Sequence, residues 1–207
     1  MRFGILIYDG VEPVDLATFG VLSMARRVAP EISIFTVAPQ KGAVAFSNGL
    51  TVLADHGYAD CPACDALIVT GGPGWMAQCT NMATLAFLRD YKPERIVAGV
   101  CTGGMIMAAA GLLDGRAATT KQEVIGAEVP PVRLMRERHP KVAVTENASI
   151  VDCGHIVTGG GVTLGIDATL HLLERLLGER VANETARIME YSRAWRANKE
   201  ALPVVVQ

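Results

Sequence analysis

Short apolar segments alternate along this chain with amphipathic stretches of helical period. The apolar segments of strand length are residues 2–8, 31–38, 66–70, 95–100 and 142–144. Apolar positions recur with helical spacing over residues 14–28, 82–90, 102–110, 164–177 and 179–199. The first pattern predicts buried strands and the second predicts helices. Because strands and helices alternate, we expect a mostly parallel sheet covered on both faces, with functional groups at the carboxyl ends of its strands.

Two small β-hairpins are expected to interrupt this alternation. The turns are Ser47-Asn48-Gly49, whose Asn-Gly pair is a strong hairpin signal, and Asp152-Cys153-Gly154. The strand segments beside these turns are residues 42–46 with 50–53, and residues 150–151 with 155–157. Beyond the last helical stretch, the pattern predicts only a short apolar tail at residues 204–206.

Length and composition indicate one domain that acts on a small molecule. The chain has 207 residues, 50% of them hydrophobic and 19% charged, and its formal net charge is −2. A chain of this length can bury one sizeable core. The composition fits neither a disordered chain nor a basic surface for nucleic acid. We therefore expect a single domain over residues 1–207, a small-molecule substrate and no nucleic-acid partner.

The apolar runs give no sign of a membrane partner. No uninterrupted apolar stretch reaches the ~18 residues of a membrane span. Met1 and Arg2 lead directly into a strand segment, without the cleavage site of a signal peptide. A cytoplasmic protein is the expectation.

The cysteines form an odd and unpatterned set, Cys61, Cys64, Cys79, Cys101 and Cys153. Such a set fits reduced thiols better than a disulfide framework. Cys61 and Cys64 have the spacing of a redox pair or of half a zinc site. They lack a matching second pair and lie in a connector, which favours two ordinary connector cysteines. We expect neither a metal nor a cofactor.

Cys101 has the sequence setting of a nucleophile. It follows an apolar strand and precedes a helix, with Gly99 and Gly103 two residues away on either side. This is the layout of a nucleophile elbow with Cys in the place of Ser. The helix start favours thiolate over thiol, so a depressed pKa is expected for Cys101. The alternative is a buried Cys that only packs beside a glycine-rich helix start.

A glycine-rich turn and a carboxylate accompany this cysteine. Gly71 and Gly72 end the strand expected beside the elbow strand, and their N–H groups with that of Thr102 are candidates for an anion-stabilising pocket. Asp15 follows the first strand. It is either a helix-start carboxylate or, beside a thiolate, a proton donor whose pKa is raised by the like charge and by burial.

The chain resembles the ThiJ/PfpI superfamily, whose fold is the class I glutamine amidotransferase-like one. The resemblance covers nearly the whole chain and is carried by residues 8–16, 71–72, 99–105, 110–116, 118–120 and 157–167. It implies a flavodoxin-like three-layer α/β sandwich with a mostly parallel sheet and small inserted hairpins, and commonly a homodimer. The matching branch includes isonitrile hydratases and the ligand domains of some AraC-type regulators. There, Cys101 would be the nucleophile, Asp15 the acid/base, and Gly71, Gly72 and Thr102 the substrate contacts.

One position departs from the superfamily pattern. Lys121 follows Thr119-Thr120, where many members carry His, so a Cys-His-acid triad is not available there. The four histidines are at positions 56, 139, 155 and 171, where surface or core roles are favoured.

The resemblance and this departure favour an isonitrile hydratase-like enzyme, because its chemistry needs a thiolate and one proton donor rather than a triad. Two alternatives stay open. One is a non-catalytic small-molecule or redox sensor that uses the same pocket. The other is a glyoxalase or deglycase-type activity on small carbonyl compounds.

Overall fold

The computed structural model describes residues 1–91 and 95–207. Its strands are β1 (Arg2–Leu6), β2 (Ser33–Ala38), β3 (Gly42–Ala45), β4 (Thr51–Ala54), β5 (His56–Gly57), β6 (Ala66–Val69), β7 (Ile96–Gly99), β8 (Ala117–Ala118), β9 (Ala143–Val144), β10 (Ile150–Cys153), β11 (Ile156–Gly159) and β12 (Val204–Val206). Its α-helices are α1 (Ala17–Ala25), α2 (Trp75–Gln78), α3 (Met82–Arg89), α4 (Gly103–Ala109), α5 (Pro131–Arg138), α6 (Leu164–Leu177), α7 (Glu179–Ile188) and α8 (Ser192–Ala201).

An eight-stranded sheet forms the middle layer, in the order β12-β10-β11-β7-β6-β1-β2-β5. Its pairs are parallel except for β10 with β11. The central strands β1, β6 and β7 are almost continuously apolar and buried, as expected of strands covered on both faces. The flavodoxin-like α/β fold with a mostly parallel sheet is therefore confirmed.

The strand order reverses between β1 and β6. From β1 the chain moves through α1 to β2 on one side, whereas from β6 it moves through α3 to β7 on the other side. Because both crossovers are right-handed by rule, α1 and α3 lie on opposite faces of the sheet. Helices α6 and α7 pack against α1, and α2 and α3 pack against α4. Ligands of such sheets bind at the point of reversal, outside the carboxyl ends of the strands.

Both predicted hairpins are present. Strands β3 and β4 pair antiparallel across the turn at Asn48 and Gly49, whose φ angles of 58° and 88° are left-handed. Strands β10 and β11 pair antiparallel across Gly154, whose φ is 76°. Asn and Gly adopt this conformation most easily, which is why these turns were visible in the sequence.

Three regions differ from the sequence expectation. The first helical stretch begins as a 3-10 turn at Pro13–Leu16, and α1 starts only at Ala17. The last stretch is two helices, α7 and α8, because Glu190 is left-handed with φ of 57°. The apolar tail is strand β12, which adds to the sheet parallel to β10. None of the helices in the described residues is long and apolar enough to span a membrane.

Candidate active site

Cys101 sits on a sharp turn between β7 and α4. Its φ is 52°, a left-handed value that side chains rarely adopt. Two hydrogen bonds hold the turn: Thr120 Oγ1 donates to the Cys101 carbonyl at 2.7 Å, and the Cys101 N–H donates to the Gly160 carbonyl at 3.0 Å. The side chain is only 3% exposed. The strand-to-helix turn predicted at this cysteine is therefore present, and it buries the sulfur at the carboxyl edge of the sheet.

Asp15 lies at the same edge, in the 3-10 turn that follows β1. It is 1% exposed, and its Oδ2 accepts a hydrogen bond from the Gly71 N–H at 2.7 Å. Oδ1 is buried and has no hydrogen-bond partner among the described residues. The pKa of Asp15 is raised to about 7: burial and, to a smaller degree, the charge of Glu12 raise it, whereas the hydrogen bond from Gly71 lowers it. The raised pKa expected from the sequence is confirmed with burial as its main cause, but the like charge that contributes is that of Glu12, since the Cys101 thiol lowers the pKa of Asp15.

The Cys101 thiol does not have the depressed pKa that the sequence predicted. Burial, and then the negative charge of Asp15, raise its pKa to about 11. The N–H groups of Val162 and Thr102 and the cation of Lys121 lower this pKa, but they do not outweigh burial. The expectation was wrong because the helix start contributes partial charges, whereas the thiol is almost fully withdrawn from water.

Cys101 and Asp15 act on each other as a pair. The Asp15 charge raises the pKa of the thiol, and the thiol S–H lowers the pKa of the carboxyl. Among the described residues, Asp15 Oδ2 accepts its hydrogen bond from Gly71 and Oδ1 has no partner, so the thiol and the carboxyl are close enough to influence each other without a well-formed hydrogen bond. Such bonds are often long in a free enzyme and tighten when substrate is bound. Between the pKa of Asp15, about 7, and that of Cys101, about 11, the pair holds one proton, and the higher pKa of the thiol places this proton on Cys101.

The glycine turn after β6 holds the other parts of the site together. The Gly72 N–H donates to Thr102 Oγ1 at 2.9 Å, while the Gly71 N–H donates to Asp15. A side chain at Gly71 would place its Cβ 2.5 Å from the Thr102 nitrogen, so only glycine allows this approach. Two of the three N–H groups expected to form an anion pocket, those of Gly71 and Gly72, are thus already engaged within the protein, whereas the Thr102 N–H acts on the Cys101 sulfur. Substrate contact by Gly71, Gly72 and Thr102 stays a prediction.

The sequence analysis missed three residues of the site. The Val162 N–H acts on the Cys101 sulfur, and Val162 is left-handed with φ of 50°. Thr120 holds the Cys101 carbonyl, and the Tyr8 hydroxyl donates to the Thr70 carbonyl at 3.0 Å, below the glycine turn. The glycine run that precedes Val162 was the available signal, because it ends the strand paired with β7.

The histidines lie elsewhere in the fold. His171 is buried in α6 with Nε2 2.6 Å from Asp152 Oδ2. His139 ends α5 and His155 lies in the β10–β11 turn. His56 is in the two-residue strand β5, with Nδ1 3.4 Å from Asp60 Oδ2. Within the described residues, no group of three or more His, Cys, Asp or Glu side chains is arranged to hold a metal ion.

The fold and the site define a class: flavodoxin-like α/β proteins with a cysteine on the strand-to-helix turn at the carboxyl edge of the sheet. The DJ-1/PfpI family model matches residues 1–175. The chain belongs to the DJ-1/PfpI family.

Relatives in this family have different roles. An isonitrile hydratase from Pseudomonas putida is 30% identical over 197 residues, 94% of this chain and 80% of that protein. The HTH-type transcriptional regulator GbdR from Pseudomonas aeruginosa is 31% identical over 147 residues, 71% of this chain but only 38% of the regulator. A crystal structure of a THiJ/PfpI family protein from Pseudomonas syringae superposes with a TM-score of 0.78 at 27% identity, covering 92% of this chain and 74% of that one.

Proposed function

We propose that this protein hydrates isonitriles to N-substituted formamides, with Cys101 as the nucleophile and Asp15 as the acid and base. The observation that carries the proposal is the buried pair of these residues, which supplies a sulfur and one shared proton. Residue 121 is Lys, so the proposed chemistry uses no histidine at that position. The similarity to an isonitrile hydratase over 94% of the chain supports the same substrate class.

The first half of the proposed cycle forms a covalent intermediate. The shared proton moves from Cys101 to Asp15, and the thiolate attacks the terminal isonitrile carbon, forming a C–S bond. Asp15 then gives its proton to that carbon and becomes a carboxylate. The product is a thioimidate between Cys101 and the substrate. Burial favours these steps because it raises the pKa of Asp15 to about 7, so that the carboxylate can take the thiol proton and the acid can return it near neutral pH.

The second half releases the formamide. Water adds its oxygen to the thioimidate carbon, and Asp15 carries the proton of that water to the nitrogen. The C–S bond then breaks, the hydroxyl becomes the formyl carbonyl, and its proton returns to the Cys101–Asp15 pair. One water is consumed and no redox change occurs. Gly71, Gly72 and Thr102 are proposed to contact the substrate beside the sulfur.

Two other functions remain in view. The similarity to a transcriptional regulator supports a ligand sensor built on the same pocket. A redox sensor is less favoured, because a thiol whose pKa is raised to about 11 is slow to oxidise at neutral pH. A glyoxalase or deglycase-type activity would also use Cys101. The homodimer and the cytoplasmic location stay predictions.

The test is a turnover screen of small isonitriles and dicarbonyls with the wild type, Cys101→Ala and Asp15→Asn. We expect formamide from the wild type and none from Cys101→Ala. Asp15→Asn keeps the shape but cannot cycle a proton, so its turnover should fall by roughly a hundredfold or more. Formamide is measured by mass spectrometry, and circular dichroism checks that each variant is folded.

Each alternative has its own outcome in this screen. Lactate from methylglyoxal, without formamide from any isonitrile, would establish the glyoxalase reaction instead. Tight binding of a ligand without product would support the sensor. Near-normal formamide release by folded Asp15→Asn would return Asp15 to a structural role at its turn.

A further inference from the structure

We infer that Lys121 selects substrates that carry a negative charge, such as an isonitrile with a carboxylate, for the Cys101 site. The inference rests on the proposed function, and it names the substrate class. It starts from the place of this lysine in the fold, immediately after Thr119 and Thr120.

The backbone of Lys121 is fixed beside the nucleophile. The preceding residue, Thr120, donates through Oγ1 to the Cys101 carbonyl at 2.7 Å. The Lys121 carbonyl accepts a hydrogen bond from the Val132 N–H, in the first turn of α5, at 3.1 Å. Lys121 is therefore held between the cysteine turn and α5.

The side chain of Lys121 lies against the loop that supplies an N–H to the sulfur. A Cβ built on Gly161 would be 2.9 Å from Lys121 Cγ and 3.3 Å from its Cβ, so the lysine stem packs on this glycine. Gly161 directly precedes Val162, whose N–H acts on Cys101. The stem thus runs beside the reactive group, and the residue is only partly exposed.

The ammonium of Lys121 acts on the site without a counterion. The ion pairs of the described residues, at a limit of 4.0 Å, do not include Lys121. Its charge nevertheless reaches both reacting groups, since it lowers the pKa of Cys101 and that of Asp15. The negative charge of Glu12 has the opposite effect to Lys121, because it raises the pKa of Asp15.

An uncompensated cation in this place discriminates between ligands by charge. A substrate with a carboxylate would be repelled by Asp15 and Glu12 and attracted by Lys121, whereas a neutral substrate of the same size meets neither effect. A charge pair a few ångströms apart at the edge of a protein changes a rate by roughly tenfold. The selection should therefore be measurable as a ratio of rates for an anionic and a neutral reagent.

The first experiment measures this ratio by alkylation of Cys101 with iodoacetate and iodoacetamide. In both reactions the sulfur forms an S–C bond, iodide leaves and the thiol proton is released. Both reagents react with the same thiolate, so a change in the thiolate population cancels in the ratio. Peptide mass spectrometry follows Cys101 apart from the other four cysteines.

We expect Lys121→Met to lower the iodoacetate to iodoacetamide ratio by about tenfold, and Lys121→Arg to preserve it. Lys141→Met is the matched control, because it makes the same charge change at an exposed lysine paired with Asp114 and should leave the ratio unaltered. In the wild type the ratio should fall as sodium chloride is added. A fall of less than about threefold in Lys121→Met, or a wild-type ratio insensitive to salt, would overturn the inference.

The second experiment compares kcat/KM for the isocyanoacetate anion and its neutral methyl ester. Lys121→Met should lower the value for the anion by about tenfold more than the value for the ester. Turnover of both compounds with an unaltered preference in Lys121→Met would overturn the role of Lys121 and leave the hydratase proposal standing. No turnover of either compound by the wild type, with a reduced alkylation ratio in Lys121→Met, would overturn the hydratase proposal and support charge selection.

Discussion

The sulfur of Cys101 and the carboxyl of Asp15 are buried together, and their chemistry is that of a pair. A thiolate beside a carboxylate is disfavoured because two like charges would be withdrawn from water. A thiolate beside a neutral carboxylic acid carries only one charge, and the N–H groups of Thr102 and Val162 act on the sulfur. In the proposed cycle the reactive state is therefore the one-proton state with the proton on Asp15.

The pH dependence of turnover follows from the two pKa values. Below pH about 7, both groups are protonated and the rate should rise with pH as the first proton is lost. Above pH about 11, the second proton is lost, no acid remains and the rate should fall. We expect a bell-shaped profile of kcat/KM with these limbs. A profile that is flat from pH 6 to pH 8 (about one unit on either side of the Asp15 pKa) would contradict the raised pKa of Asp15.

Asp15→Asn should change thiol reactivity and turnover in opposite directions. Removing the carboxylate removes a charge that raises the Cys101 pKa, so the pKa of Cys101 should fall and alkylation by iodoacetamide near pH 8 should become faster, by several-fold or more. Turnover falls in the same variant because the proton donor is lost. Alkylation rate against pH, read at Cys101 by mass spectrometry, checks this. Unaltered alkylation would mean that Asp15 does not act on the sulfur.

Glycines set how closely the secondary structure elements approach at the site. Gly103 begins α4, and a Cβ there would overlap the Val69 carbonyl oxygen of β6. We expect Gly103→Ala to destabilise the protein by about 1–3 kcal/mol, because α4 must move away from the strand. Gly20 is the matched control, since it lies within α1 with no atom within 4 Å of a built Cβ. Gly20→Ala should stabilise the protein by about 0.5–1 kcal/mol.

Urea unfolding measures both changes, and iodoacetamide labelling of Cys101 reports on the site of the folded variants. Equal free energies of unfolding for Gly103→Ala and the wild type would contradict this prediction, because α4 could then accept a methyl group beside β6 without cost. A loss of stability in Gly20→Ala would instead indicate an unseen partner on α1.

The elements that the sequence revealed are those with a strong local signal. Helix α6 matches its expected range, residues 164–177, because its apolar positions are regular and Gly178, with φ of 90°, ends it. Helix α5 was missed: it has only 8 residues, and although Val132 and Met135 are buried on one face, so short a stretch gives too few apolar positions to reveal a helical period. Strand β12 was also missed, because its partner β10 is distant in the chain and a three-residue strand exists only through that pairing.

The residues of the site likewise divide into those that a local sequence signal reveals and those that depend on packing. Cys101 and Asp15 were found because each follows an apolar strand, and the carboxyl ends of parallel strands meet at one edge. The direction of the Cys101 pKa was not foreseeable, because it depends on how deeply the turn is covered, which is a property of packing. Val162 was not predicted for a related reason: it acts through its backbone N–H, which almost every residue type has, so its side chain does not indicate this role.

Over the whole molecule, the candidate active site lies at the carboxyl edge of the sheet, whereas a buried charged cluster lies near the opposite, amino edge. Near the amino edge, Asp152 on β10 is 3% exposed and binds His171 and Arg175 of α6, at 2.6 and 2.8 Å. Asp152 pairs with Val157 near the start of β11, whereas Gly159 at the end of β11 leads into the site. This cluster ties an outer strand to the longest helix and lies away from Cys101.

Asp152→Asn should therefore lower stability without altering the chemistry. Losing the charge weakens hydrogen bonds to Arg175 and His171, and we expect a loss of about 2 kcal/mol in the free energy of unfolding. Asp114→Asn is the control, because it breaks an exposed pair with Lys141 and should cost less than about 1 kcal/mol. Urea unfolding and the Cys101 alkylation rate of the folded proteins are the measurements. A slower alkylation in folded Asp152→Asn would mean that the two edges are coupled.

The left-handed backbone at Cys101 has a consequence for any attempt to improve this protein by directed evolution. A side chain at φ of 52° carries a cost of about 1 kcal/mol that glycine avoids. A library screened for heat resistance alone would thus tend to enrich glycine at the position that does the chemistry. The proposed nucleophile is tolerated in spite of its local conformation, which is common where catalysis needs an unusual backbone. Engineering for robustness should hold residue 101 fixed and seek its gains at sites such as Gly20.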